Sequence, residues 1–404
     1  MLTKESIQAE AIATLDKDKR LILQWATGVG KGYTAVRAIQ QLKPSSVLIV
    51  VAETAHKKNW AEEFESAGGV DVFTTSITVE CYASLKNYEG TSWDLIIFDE
   101  AHHLGSEKRL DILSTLKANR VLVLSATLSD PDLLYCLRLT FGEFKSSVIN
   151  IQQAIDNHLL PEPKIYLIPL YLDCKNNDQI IEETWGIAAK RKTYECTMKD
   201  RWNYIKNKKT LYPNVRLIIH CSVYDKYKYL SEQMDFWMKR FYTTRNEVFK
   251  AKALNYGSQR KVLMGESKTE VVKKLLETLE GKKYICFCTN ISQAEVLGGA
   301  NAIHSEKKSS NQAIIDSFNE GNINSLFAVG MLQEGQNLNG IQAGVIVQLD
   351  GKERAFIQKF GRSMRAEDPI QYIFYYRYTQ DEKWMKNVLE GIDQNFIKEY
   401  EIHN

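Results

Sequence analysis

No apolar run in this chain approaches the length that spans a bilayer, and its opening residues, MLTKESIQAE, lack the apolar core of an export signal. Membrane-embedded classes are therefore excluded, and the expectation is a cytoplasmic protein with no membrane partner. An excess of either charge is missing too: 52 Lys and Arg stand against 50 Asp and Glu, a formal net charge of +2. So balanced a chain does not attract polyanions over its whole surface, and any nucleic-acid footprint has to be a local patch. Its seven cysteines, at 81, 136, 174, 196, 221, 286 and 288, include no CxxC pair. An odd number scattered through apolar segments suits buried thiols in a reducing compartment and argues against disulfides or zinc. No internal repeat is visible by identity.

What is present suits a globular chain of two domains: 404 residues, 44% hydrophobic and 25% charged. Residues 21–38, LILQWATGVGKGYTAVRA, organise the rest. An apolar strand runs into Thr27, Gly28, Val29, Gly30 and Lys31, and a helical pattern follows. Glycines at 28 and 30 let successive N–H groups turn inward around an anion at the positive end of the helix, where Lys31 adds a full charge. Alone, such a turn also serves plain packing. The phosphate loop normally continues with Ser or Thr, and here Gly32 removes the hydroxyl that reaches magnesium. Thr34, about 200° further round the helix, points elsewhere. A water in the vacated position and weaker Mg·ATP binding are expected.

Ahead of that turn, Gln8 sits on a helix carrying Ile7, Ala11, Ile12 and Leu15; it can hydrogen-bond an adenine edge or simply face solvent. The run SVLIVVA at 46–52 reads as a strand covered on both faces. Another apolar strand ends in Asp99 and Glu100, at the edge where open α/β sheets bind ligands. The strand at 120–124 ends in Ser125, Ala126 and Thr127, hydroxyls that sense a ligand or cap a turn. Pro161 and Pro163 break the periodicity and mark the junction of two halves. Beyond Cys174 the alternation of strand and helix stops and an insertion follows. Between 190 and 209 it holds eight basic residues against two acidic ones, interleaved with Tyr194, Trp202 and Tyr204. Such a segment tracks phosphates and stacks on bases, or is a solvated helical face. Tyr227, Leu230, Met234, Trp237 and Phe241 then form a seam at helical spacing, read as packing on another helix in a projecting arm. A second βαβ series begins at Lys283 and leads to EGQNL at 334–338 and QKFGRSMR at 358–365.

Taken in order, ATGVGKG, DEAH, SAT, EGQNL and QKFGRSMR resemble motifs I, II, III, V and VI of the superfamily 2 helicases and translocases, and the resemblance covers nearly all of the chain outside the insertion. It implies an α/β fold of two tandem RecA-like, P-loop NTPase domains with parallel sheets. Residues 1–141 form the first domain, 142–163 a linker, and 164–404 the second, with a helical insertion at about 175–264. It implies ATP and Mg2+. Gln8, Thr27, Gly28, Val29, Gly30, Lys31 and Gly32 would bind the nucleotide, Asp99 the metal, and Glu100 the attacking water. Gln358, Arg362 and Arg365 would complete the catalytic set from the other half. His102, Ser125, Thr127, Gly335 and Asn337 would couple the sites; many relatives carry Asp where Asn337 stands. Lys190, Arg191, Lys192 and Trp202 are the nucleic-acid candidates. The expected activity is ATP-dependent translocation on, or unwinding of, nucleic acid, with DNA favoured over RNA, and with the insertion available to a protein partner. The alternative is an ATP-gated nucleic-acid clamp with weak turnover, motivated by Gly32 and Asn337. A kinase on a similar loop leaves motifs V and VI without a purpose.

Overall fold

A computed structural model describes residues 2–69, 75–128, 130–172, 222–330, 338–350, 356, 359–361, 364 and 366–402, with the backbone alone at 180–184 and 216–220. In the first half, α1 (Lys4–Asp18), β1 (Arg20–Trp25), α2 (Lys31–Leu42), β2 (Ser46–Val51), α3 (Thr54–Ser66) and β3 (Ser76–Cys81) come first. They are followed by β4 (Ser92–Phe98), α4 (Glu107–Leu113), β5 (Lys117–Ser125), α5 (Pro131–Phe141), β6 (Lys145–Ile149) and α6 (Ile151–Asp156). The strands make one six-stranded sheet in the order β3-β2-β4-β5-β1-β6. Every pairing in it is parallel. Its central strands, Val47 to Val51 and Leu95 to Phe98, are wholly buried, as expected of apolar runs with helices on both faces.

β6 and α6 fall in the 142–163 stretch expected to be a linker, so the first sheet extends past 141. β6 adds to β1 with Leu21 opposite Lys145 and Trp25 opposite Ile149. Its sequence, KSSVI, hid it: an edge strand with only Ile149 buried carries little apolar signal.

The second half opens with β7 (Lys164–Leu170), then β8 (Ile180–Thr184) and β9 (Arg216–His220), an antiparallel pair, then α7 (Val223–Thr244) and α8 (Glu247–Glu266). Strand and helix alternate again through α9 (Thr269–Glu277), β10 (Tyr284–Phe287), α10 (Ile291–Gly298), β11 (Ala302–Ile303), α11 (Lys308–Asn319), β12 (Ser325–Ala328), β13 (Ala343–Ile346), β14 (Ile370–Tyr376), α12 (Gln380–Val388) and β15 (Ile397–Glu399). The sheet order is β11-β12-β10-β13-β14-β7-β15, again parallel throughout. Two parallel-sheet α/β units in tandem, with a helical insertion after the first strand of the second, are the architecture implied by the sequence.

α7 and α8 form an antiparallel hairpin whose seam is the one read from the spacing. Leu230 is buried, Trp237 lies 5.4 Å from Phe249 between ring centres, and Tyr227 accepts a hydrogen bond from the Gln380 N–H at 3.0 Å. No helix among the described residues is long and apolar enough to cross a membrane.

Candidate active site

The C-terminal ends of β1 and β4 lie two strands apart in the first sheet, and each delivers part of the site. After β1 the chain turns through Gly28 at φ +93° and Gly30 at φ +102°, the left-handed region that a Cβ would strain. Gly30 caps α2, so the N–H groups of that helix's first turn face outward at its positive end. Val29 is fully buried and anchors the turn; the Lys31 ammonium donates to the Trp25 carbonyl at 2.8 Å, which folds its side chain back over the loop. A Cβ on Gly30 would stand 3.4 Å from Gln8 Nε2, so α1 brings Gln8 to the rim of the turn. Thr34 is buried, and its hydroxyl donates to the Gly30 carbonyl at 2.8 Å, which directs it into the helix.

At the end of β4, Asp99 is positioned from three sides. Its N–H donates to Val50 O at 2.9 Å, its carbonyl accepts from the Tyr82 hydroxyl at 2.8 Å, and its Oδ2 accepts from Trp60 Nε1 at 3.0 Å. Oδ1 accepts from the Glu100 N–H at 3.0 Å. Glu100 itself adopts φ +46°, a conformation that a non-glycine residue holds only when its surroundings impose it. That turn brings its Oε2 to 3.4 Å from His102 Nδ1, and the His103 ring lies 4.4 Å from that of His102, tilted by 40°. At the end of β5, the buried Ser125 hydroxyl donates to Thr127 O at 2.7 Å and accepts from Thr127 N at 3.3 Å. Thr127 faces a cavity of about 180 Å³ that Gln152 lines from the first half and Phe356 and Gly391 from the second.

The second half meets the glycine turn directly. A Cβ on Gly361 would lie 2.6 Å from the Thr27 Cβ, so only glycine permits this approach. Phe356 and Phe360, stacked at 5.3 Å, are buried in the same apolar cluster as Trp25 and Val29. The contact is extended at Gln152, whose side chain accepts from the Asp393 N–H at 2.8 Å. Of the remaining expected residues, Gln358, Arg362, Arg365, Gly335, Asn337, Lys190, Arg191, Lys192 and Trp202 lie outside the described residues.

One neighbour was not foreseen. The place that a side chain at position 32 would take is not open to solvent, because a Cβ there would stand 3.2 Å from both Cδ and Oε1 of Glu63. Nothing in the local sequence signals this neighbour, which comes from the packing of α3 beside α2. The donor set fits a nucleotide phosphate with a hard divalent cation: a glycine cradle at a helix N-terminus, an ammonium, and carboxylate oxygens at the neighbouring strand end.

Residues 2–130 match the family model of the type III restriction enzyme, res subunit, and residues 267–367 match that of the helicase conserved C-terminal domain. The DNA 3'-5' translocase XPB2 of Sulfurisphaera tokodaii is 23% identical over 378 residues, which cover 89% of this chain and 78% of that protein. The Pyrococcus furiosus Hef helicase domain aligns with 95% of this chain and 96% of its own at 16% identity, with a TM-score of 0.48.

Proposed function

Because the chain belongs to superfamily 2 of the helicases and translocases, we propose that it couples ATP hydrolysis to movement along, or separation of, DNA strands. The observation that carries this reading is the approach of Gly361, a residue of the QKFGRSMR sequence, to Thr27 in the glycine turn of the other half. DNA is chosen over RNA because the curated relative is a DNA translocase and the first half matches a restriction-enzyme subunit.

In this reading Lys31 and the first N–H groups of α2 hold the phosphates, and Gln8 reads the adenine edge. Mg2+, held by Asp99, would offset charge on the transferred phosphoryl group. Asp99 is fixed for that task by Trp60, and Glu100 orients the attacking water from its constrained backbone. Arg362 and Arg365, one and four residues after Gly361 in the chain, meet the terminal phosphate when the halves close. Hydrolysis removes the group that both halves grip, so the cleft reopens and a strand lying across both units advances. Motif II has the DEAH form, in which His102 beside Glu100 relays that state to Ser125 and Thr127. Lys190, Arg191, Lys192 and Trp202 contact the nucleic acid. The partner contact belongs to the hairpin α7–α8, whose Tyr242, Val248 and Leu254 are exposed. The protein works in the cytoplasm, with the division between its domains falling after α6 and before β7.

Steady-state ATP hydrolysis with single-stranded DNA, duplex DNA and RNA, run beside a strand-displacement assay, tests the proposal. Turnover stimulated by DNA is the expected result. ATP-dependent DNA affinity without turnover would instead identify a clamp.

A further inference from the structure

Position 32 is where a phosphate loop ordinarily places a hydroxyl toward magnesium, and here it carries no side chain. We propose that Glu63 supplies the missing ligand, directly or through one metal-bound water. The inference rests on the nucleotide-site reading above and assigns to it a residue from outside the motifs.

Three observations support it. First, the Glu63 carboxylate lies against the place of the missing side chain, with Oε1 and Cδ each 3.2 Å and Cγ 3.5 Å from the point a Cβ would occupy. A hydroxyl would lie one bond beyond that point, so the carboxylate oxygen is a neighbour of the position the hydroxyl leaves empty. Second, the same face of α3 is fastened to the other metal-directed group. Trp60, one turn before Glu63 and 3% exposed, donates its indole N–H to Asp99 Oδ2 at 3.0 Å. The strand-end carboxylate and the helix carboxylate thus belong to one fixed scaffold. Third, the chemistry suits the ion, because carboxylate oxygen is the preferred protein ligand of Mg2+, and the N-terminus of α2 stabilises a negative charge placed beside it.

Gly32 leaves room for this carboxylate: a serine would bring its own Cβ to 3.2 Å from it, so that Glu63 would have to give by a few tenths of an ångström.

Mn2+ is the probe, its binding to the full chain saturated with ADP read from the loss of the free-ion electron paramagnetic resonance signal. Fluorescent mant-ADP binding in EDTA is measured alongside. Glu63→Gln, which preserves size, should weaken Mn2+ by about 10–100-fold, the range seen when a carboxylate around a metal is removed. Metal-free mant-ADP affinity should stay within about twofold or tighten, since a negative charge near the phosphates has gone. Adding Gly32→Ser to Glu63→Gln should restore most of the Mn2+ affinity. Unchanged Mn2+ affinity in Glu63→Gln would overturn the proposal. An equal loss of metal-free mant-ADP binding would do so as well, since it assigns Glu63 to folding or to the phosphates. A wild-type chain that binds no mant-ADP at all would sink the nucleotide site together with this role.

Discussion

The C-terminal edges of the two sheets carry charge in opposite ways. On the first, Asp99 and Glu100 are half-buried and held by an indole and by the backbone at a glycine-lined turn. On the second, charge is sealed in: Lys268, just ahead of α9, is wholly buried and donates to Asp381 at 2.6 Å, Gln348 at 2.9 Å, Val347 O at 3.0 Å and Phe374 O at 3.3 Å. Asp381 is equally buried and accepts from Gln348 as well. Burial pushes the Lys268 ammonium down from its ordinary value, and the carboxylate of Asp381 at 2.6 Å offsets that only in part. A carboxylate at the edge of a parallel sheet is therefore no sign of a ligand by itself; what matters is whether its partners come from inside the fold. The first edge is built to meet something, the second to hold β13, β14, α9 and α12 together.

Perturbing each edge separates these roles. The largest effect should come from Arg362→Ala, with ATP turnover lower by about 10³-fold or more, the scale of a charge-stabilising arginine. Its mant-ADP affinity and thermal midpoint should be nearly unchanged; a collapse of both would give the residue a structural role. Next is Lys268→Met, which leaves Asp381 buried without its counter-charge and should cost about 3–5 kcal/mol of unfolding free energy in urea. Lys268→Met with Asp381→Leu should recover most of that, and failure to recover would show that the cation does more than balance one carboxylate. Reversing charge at Lys190, Arg191 and Lys192 should weaken DNA binding and lower the salt slope by about 0.9 for each phosphate the segment no longer neutralises. An unchanged slope would leave the insertion as a solvated face. Smallest is Trp60→Phe, which deletes the indole donor to Asp99 and should cost about 1 kcal/mol in metal-supported nucleotide binding. Calorimetry with Mg·ADP measures it, and an effect on stability alone would detach Trp60 from the site.

The features legible in the sequence were those written in local order. Glycines 28 and 30 before a helical run, and carboxylates closing an apolar strand, carry their meaning within a dozen residues, because backbone conformation and burial are set there. Strands buried on both faces, such as β2 and β4, announce themselves as unbroken apolar runs. β6 and β15 did not, since an edge strand needs an apolar side on one face at most, and their identity depends on the neighbours β1 and β7. Lys268 and Asp381 are 113 residues apart in the chain, and only the folding of α9 and α12 onto one sheet makes them a pair. Glu63 was hidden for the same reason, since its distance from Gly32 is a property of helix packing and not of spacing along the chain.

Gly361 gives the joint between the halves a thickness of one hydrogen atom. A single methyl there would act as a shim wedged against Thr27: with 2.6 Å between the two Cβ positions, one side of the joint has to move to admit one added carbon.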